Sequence, residues 1–328
     1  MKKDQWIVGI DIGGTKIEVA AVKNNGTIIK GIRRETKTNA DIGNIESDII
    51  NTVHALINAV GKKPMAIGVG MAGQIDPEDG VVIFSPNLNW HNVPLKQDLN
   101  RAFRLPVTIT NDVRAATWGE WVHGAGKGYN DIICMFVGTG IGGGIVSKGK
   151  MVEGCTNTAG EIGHITVELN GPVCTCHNKG CLEAIASGWA IARDAQTAVL
   201  SDPAAGAYML NIAGGTIKDI TAKVVVRSAH DGDPLAKKII ERVSNAIISG
   251  AVSLVNVFNP CVFVLGGGII EGMPELVNIV DKGIREYALK AATTKLKVVR
   301  SALNDYAGVI GAAVFAQLML KKNVKKNK

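Results

Sequence analysis

Apolar and polar positions along this chain follow two periods, and each run stops at a recognisable break. Trp6 to Ile12, "WIVGIDI", is a short apolar run ending in Gly-Gly, the pattern of a buried strand. Past "GGT", Ile17, Val19 and Ala21 alternate with Lys16, Glu18 and Ala20, as a strand does. "NNG" at 24–26 marks a turn, and Thr27 to Lys30 reads as a third strand. Ile42 to Val60 has helical spacing, Met65 to Val69 reads as another buried strand, and Leu105 to Thr110 as the strand that leads into "TNDVRAATWGEW".

The opening pattern then returns. "DIICMFV", Asp131 to Val137, runs into "GTGIGGG"; Ile145 and Val146 follow, then the turn "SKGK", then Met151 and Val152. The two Gly/Thr turns begin at Gly13 and Gly138, 125 positions apart. That period is too long for a solenoid, so one supersecondary unit serves twice, in two related domains. Downstream, Pro234 to Val257 is helical and stops at Asn259-Pro260, "CVFVLGGG" (261–268) is a strand entering a Gly turn, Glu275 to Leu289 is helical, and Ala307 to Leu320 is a last apolar helix. Strands alternate with helices throughout, which makes the class α/β. No low-complexity linker separates the halves. The boundary is expected at Asn111, giving a small domain over 1–111 and a large one over 112–306, with the helix at 307–320 packing back on the first.

Composition adds three limits. A chain of 328 residues, 46% hydrophobic and 20% charged, suits two domains with sizeable cores. The N-terminal apolar run is too short and too polar for a signal peptide, and no run approaches the length that crosses a membrane, so a cytoplasmic protein with reduced thiols is expected. Of the net charge of +7, five units belong to lysines of the tail "KKNVKKNK" (321–328), a solvated end rather than a nucleic-acid site.

"DIGGTK" places Gly13 and Gly14 where backbone N–H groups can face a phosphate with no Cβ in the way. Thr15 and Lys16 can add to that cradle, and Asp11 can hold Mg²⁺. Alone, the motif is equally an ordinary hairpin turn. The second turn, with Gly138, Thr139 and Gly140, makes a pair that can grip a polyphosphate. Gly266 and Gly267 of "LGGG" read either as a site beneath a nucleoside or as a helix-entry turn.

The stretch "GPVCTCHNKGCLEAIASG" holds three of the six cysteines, Cys174, Cys176 and Cys181. Three thiols on one short loop lack one ligand of a tetrahedral Zn²⁺ site, and His164 of the upstream "AGEIGH" completes it. His177 is the competing ligand, but it adjoins Cys176, and chelation by neighbouring residues strains a loop. Zinc on one ring nitrogen of His164 would leave the other aimed at a ligand. Such a loop gathers Glu161, His164 and Glu183, a set suited to vicinal hydroxyls. The Gly/Thr turns lie elsewhere in sequence, so losing the metal is expected to weaken binding of the vicinal hydroxyls far more than binding of phosphates. Asp112 stands where a strand becomes a helix: it reads as an N-cap, or, beside two phosphate turns, as a general base.

Together these residues resemble the ROK family of sugar kinases, within the actin and hexokinase superfamily, and among them the ATP-dependent glucokinase group of bacteria and archaea. The resemblance runs from "GIDIGGTK" through "GMAGQID", "SPNLNW", "TNDVRAA", "VGTGIGGG", "GEIGH" and "CTCHNKGCLEAIASG" to "NDYAGVIGAA". It implies two ribonuclease H-like domains with a sugar cleft between them. It implies Asp112 as the base toward the sugar 6-hydroxyl, and Asn87, Asn111, Asp112, Glu161, His164 and Glu183 as sugar contacts. It implies His164, Cys174, Cys176 and Cys181 as zinc ligands, ATP and Mg²⁺ at the Gly/Thr turns, and a homodimer or homotetramer. The family usually has Gly where this chain has His177, and Pro is commoner at Ala72. Members that act as repressors carry an added N-terminal DNA-binding domain, for which the position of the first hairpin, at Trp6, leaves no room.

The activity this implies is transfer of the ATP γ-phosphoryl group to glucose, giving glucose 6-phosphate and ADP. The rivals are another hexose or N-acetylhexosamine as acceptor (mannose, fructose, N-acetylmannosamine, N-acetylglucosamine), polyphosphate as donor, and a non-catalytic sugar sensor or regulator.

Overall fold

Two five-stranded sheets with the same strand order organise the chain. The computed structural model describes residues 5–36, 42–76 and 78–326. In one sheet the order is Ile28–Glu35, Lys16–Lys23, Trp6–Ile12, Ile67–Met71, Val107–Asn111. In the other it is Lys150–Met151, Ile141–Ser147, Ile132–Val137, Val262–Gly266, Lys297–Arg300. In each, the middle strand runs antiparallel to the hairpin partner that follows it and parallel to its other neighbour. The repeat seen in the sequence is therefore a repeat of topology.

The chain divides into two units, one comprising Met1–Gly128, Glu153–Ala159 and Asp305–Lys328, the other Tyr129–Val152 and Gly160–Asn304. Each has its own apolar core. In the first unit Ile10, Val19, Ile49, Leu56 and Val69 are sealed from water. Lys16–Lys23 is buried from residue 17 through 22, on both faces, despite its alternating sequence. One reason is the helix Ala307–Lys326, which packs on the first unit's sheet and on the helix Asp112–Val122. Backbone meets backbone there: a Cβ at Gly9 would lie 2.0 Å from the Val309 carbonyl oxygen, and one at Gly68 2.0 Å from that of Ala312. Only glycine permits that approach. The helix runs past Leu320 into the lysine-rich end, whose last residues, 327–328, and the side chains from 323 onward lie outside the described residues.

In the second unit the core gathers along the helix Pro234–Phe258, with Val243, Ile247 and Val255 against Phe263 and Leu265 of the sheet. Its ends carry the expected signals. Asp233 accepts from the Ala236 N–H at 2.7 Å, Pro234 occupies the first turn, and Asn259 takes a left-handed conformation before Pro260. The "GTGIGGG" run divides differently from the expected long turn. The turn is Gly138–Gly140 alone, and Ile141–Ser147 is strand. Gly143 is there because a Cβ would strike the Cys134 carbonyl oxygen at 2.2 Å and Ile162 at 2.3 Å. A small sheet of Gln74–Ile75, Val82–Ser85 and Trp90–Val93 was not legible as strands. Among the described residues, no helix is long and apolar enough to cross a membrane.

Candidate active site

The strand Val107–Asn111 delivers Asn111 and Asp112 to the start of the helix Asp112–Val122. Asn111, not Asp112, is the cap: its Oδ1 accepts from the N–H groups of Val113 at 3.1 Å and Arg114 at 3.2 Å. Its Nδ2 faces the Gly73 carbonyl oxygen at 3.4 Å. Of the two readings of Asp112, the cap thus belongs to its neighbour, and the Asp112 carboxylate sits in the first helical turn, where the dipole favours an anion.

Asp11 stands close by, at the end of the first strand. It pairs in register with Gly70, and the Cβ position of Gly70 lies 3.5 Å from the Asp112 Cα. Burial, then the Asp112 charge, push the Asp11 carboxyl up to about 7. Gly308 of the last helix lies over it; a Cβ there would sit 2.4 Å from Asp11 Oδ2. Two carboxylates crowded in this way are a donor set that suits a hard cation such as Mg²⁺.

The first Gly/Thr turn is closed by backbone. Gly13 N–H donates to the Lys16 carbonyl at 2.9 Å, Thr36 N–H to that of Thr15 at 3.0 Å, and the Thr36 hydroxyl to that of Gly13 at 2.8 Å. Gly14, Thr15 and the Thr15 hydroxyl are the donors this turn can offer a phosphate. Asn87 lies against it, its Cβ 2.9 Å from the Cβ position of Gly14. Lys16 is held by Asp305 at 3.2 Å and Glu18 at 3.6 Å, and Arg33 joins the same two carboxylates at 3.1 and 3.2 Å. Asp305 had no assigned role; its only signal was its place in "NDYAGVIGAA".

Arg114 was also passed over, although it lies two residues from Asp112. It is buried, and its guanidinium donates to the Asn157 side chain, to the Asn157 carbonyl at 3.0 Å and to the Ala159 carbonyl at 3.1 Å. It fastens the helix to the segment that leads into Glu161.

The second turn has different supports. Gly138 N–H donates to Gly140 at 2.9 Å, and Gly188 N–H donates to Gly138 at 2.8 Å. The Ile141 N–H donates to Glu183 Oε2 at 2.8 Å. Glu183, expected beside Glu161 as a sugar contact, thus has one carboxylate oxygen on the residue that follows the second Gly/Thr turn. Its Oε1 is 3.5 Å from the Thr175 hydroxyl, between two of the cysteines. The cysteine loop and the second Gly/Thr turn, apart in sequence, meet in space through Glu183. The Glu161 carboxylate is exposed at the start of the short helical turn Ile162–His164.

His164, Cys174, Cys176 and Cys181 converge, with all four ligand atoms within 4.8 Å of one another. Cys174 Sγ is 3.6 Å from His164 Nδ1, and Cys176 Sγ is 3.6 Å from Cys181 Sγ. With Zn–S near 2.3 Å, a tetrahedron has edges of about 3.8 Å, so the donor set fits zinc. Burial and the two neighbouring thiols push Cys181 up to about 12, while the Asn178 N–H draws Cys176 down. Asn178 Nδ2 also lies 3.7 Å from Cys181 Sγ, an outer contact of the kind that steadies a metal ligand. An antiparallel bridge between Thr166 and Cys181 brings the two ligand-bearing segments together. His177 lies outside the cluster.

Gly266 ends the strand Val262–Gly266, and Gly267 leads from it into the short helix Gly268–Gly272. A Cβ at Gly267 would meet the Val137 carbonyl oxygen at 2.5 Å, so packing alone demands glycine there. Gly268 beyond it lines a hollow of about 440 Å³ with Lys223, Arg227, His230 and Ile269.

The ROK family profile matches residues 7–318. The chain belongs to the ROK family. Thermotoga maritima glucokinase is 35% identical over 94% of this chain and 96% of that protein. The Bacillus subtilis xylose repressor is 29% identical over 94% of this chain and 76% of its own length. A ROK family glucokinase from Streptomyces griseus, solved with glucose and AMPPNP, superposes with a TM-score of 0.82 at 32% identity, covering 95% of this chain and 99% of that one. With the two same-order sheets, this is the two-domain α/β fold of the actin and hexokinase type. The departure from the ROK pattern at His177 has a structural form. His177 holds φ at +69°, the left-handed region in which glycine is at ease, so the loop keeps a glycine-like backbone with a histidine in it.

Proposed function

We propose that this ROK protein is an ATP-dependent sugar kinase that phosphorylates glucose at its 6-hydroxyl. The observation that carries this reading is Asp112. It is relieved of capping by Asn111 and set beside Asp11 on the strand that enters the first Gly/Thr turn. The Thermotoga maritima and Streptomyces griseus relatives support glucose as acceptor and ATP as donor.

In this mechanism Asp112 accepts the proton of the 6-hydroxyl as the oxygen attacks the γ-phosphorus, the bond from that phosphorus to the bridging oxygen breaks, and ADP leaves with the bridging oxygen. Asp11 would hold Mg²⁺, which when bound supplies the charge that offsets the phosphoryl oxygens. Gly14 and Thr15 of the first turn, and Thr139 and Gly140 of the second, would each present N–H and hydroxyl groups to phosphates; the Lys16 charge beside the first turn is shared with Asp305. The hollow beside Gly268 suits a nucleoside. Asn87, Asn111, Glu161, His164 and Glu183 would orient the sugar, and zinc on Nδ1 would leave His164 Nε2 for a hydroxyl. The zinc set is closed at four ligands and offers no open position for a reacting water.

ADP release across a panel of sugars, with ATP and with polyphosphate as donors, tests the reading. Glucose with ATP is expected to be turned over fastest. A faster N-acetylhexosamine would move the acceptor. Absence of turnover with every sugar, in protein that still binds glucose, would favour the sensor reading that the xylose repressor relative suggests.

A further inference from the structure

Ile141, the first residue after the second Gly/Thr turn, is gripped from two sides. Its N–H donates to Glu183 Oε2 at 2.8 Å. Its carbonyl oxygen lies against Gly163, so closely that a Cβ there would be 2.0 Å away. Gly163 adjoins His164, and Glu183 follows Cys181 by two residues. The two segments that hold Ile141 are thus the two that the metal cluster ties together. Past Glu183, the N–H groups of Gly188 and Trp189 reach the carbonyls of Gly138 and Thr139 at 2.8 and 3.3 Å. Gly140 completes the fit, since a Cβ there would lie 2.7 Å from Glu183 Oε2.

We infer that Glu183 is a positioning residue for the nucleotide phosphates: its carboxylate holds the Gly138–Gly140 turn in shape, and the metal loop holds Glu183. The inference rests on reading that turn as a phosphate turn. A buried N–H that loses its acceptor costs more than the bond itself contributes, so loss of the Glu183 side chain leaves the turn free to sample other shapes, and binding must then re-order it. Glu183 serves the nucleotide through Ile141, without touching it.

The test measures binding of ADP and of AMPPNP with no sugar present, and binding of glucose separately, in the zinc-loaded protein. Glu183→Ala is expected to weaken nucleotide binding about tenfold or more. Glu183→Gln keeps a carbonyl acceptor for the Ile141 N–H and is expected to stay within about twofold of wild type for nucleotide, whatever it does to glucose. Amide exchange at Ile141 gives a readout that needs no ligand. It is expected to be strongly protected in wild-type protein, and in Glu183→Gln, but not in Glu183→Ala. Nucleotide affinity unchanged in folded, zinc-loaded Glu183→Ala would overturn the proposal, as would fast Ile141 exchange in wild-type protein. Wild-type protein that bound no nucleotide would instead overturn the kinase reading, and the exchange result would still stand.

Discussion

The two Gly/Thr turns occupy the same place in two sheets of the same order, yet they are held in different ways. The first is closed by its own backbone and Thr36, and it is rich in charge: Asp11, Asp112, Lys16, Glu18, Arg33 and Asp305 surround it. The second has one carboxylate, Glu183, and leans on the metal loop and the helix Gly188–Ser201. The two sheets share the strand order and the turn; their surroundings differ. Charge is concentrated at the first turn, while the shape of the second is set by contacts from outside it.

The sharpest way to break this contrast is at Asp112. Asp112→Asn should lower turnover about 10²–10⁴-fold. Because Asn111 supplies the cap, the helix and the melting temperature should be nearly unchanged. A variant that kept a tenth of wild-type turnover would move the base elsewhere. Next in size is the metal loop. Purified protein should carry about one zinc per chain, as a four-ligand site requires. Cys181→Ser should lose that metal and, through Glu183, weaken nucleotide as well as sugar. Metal analysis with separate binding isotherms checks both, and intact nucleotide binding in the folded, zinc-free variant would separate the loop from the turn.

Much of this was legible in the sequence. Apolar runs ending at a Gly/Thr turn marked the middle strand of each sheet, and the cysteine spacing with "GEIGH" marked the metal cluster. Other features depend on contacts that spacing does not encode. Nothing in the alternation of Lys16–Lys23 says that a helix from the far end of the chain will cover it. The glycines at 9, 68 and 143 sit within strands, and what demands them there is the close approach of neighbouring backbone. Glu183 is near the cysteines in sequence and near Ile141 only in space. The choice between Asn111 and Asp112 as cap turns on a single residue of register.

Asp11 gives a smaller effect with a definite sign. Its folded-state carboxyl titrates near 7 rather than 3.8, so the protonated form is the one folding favours. In metal-free protein the stability this group contributes is complete below pH 4 and is lost as pH rises toward 7. Asp11→Asn should therefore melt above wild type at pH 8, by about 2–4 °C for each kcal/mol recovered, with the gap closing at acid pH. Millimolar Mg²⁺ should raise the wild type and leave the variant where it is. A gap that grew toward low pH would mean that Asp11 is stabilised as the anion even without a cation.

The smallest effect tests the metal loop at the one residue that departs from the ROK pattern. His177 is exposed, outside the ligand cluster, and held at φ +69° by the bonds that close the loop, its N–H to Cys174 at 2.9 Å and the Cys174 N–H to Asn178 at 2.8 Å. A non-glycine residue in that region costs about 1 kcal/mol. His177→Gly removes that cost in the folded loop but adds freedom to the unfolded chain, which offsets part of the gain. The expected result is a small rise in melting temperature with zinc content unchanged. His177→Ala keeps the strain and should keep the metal, with no gain in stability. Zinc lost from His177→Ala would make His177 the fourth ligand in place of His164, and would detach the grip on Ile141 from the metal.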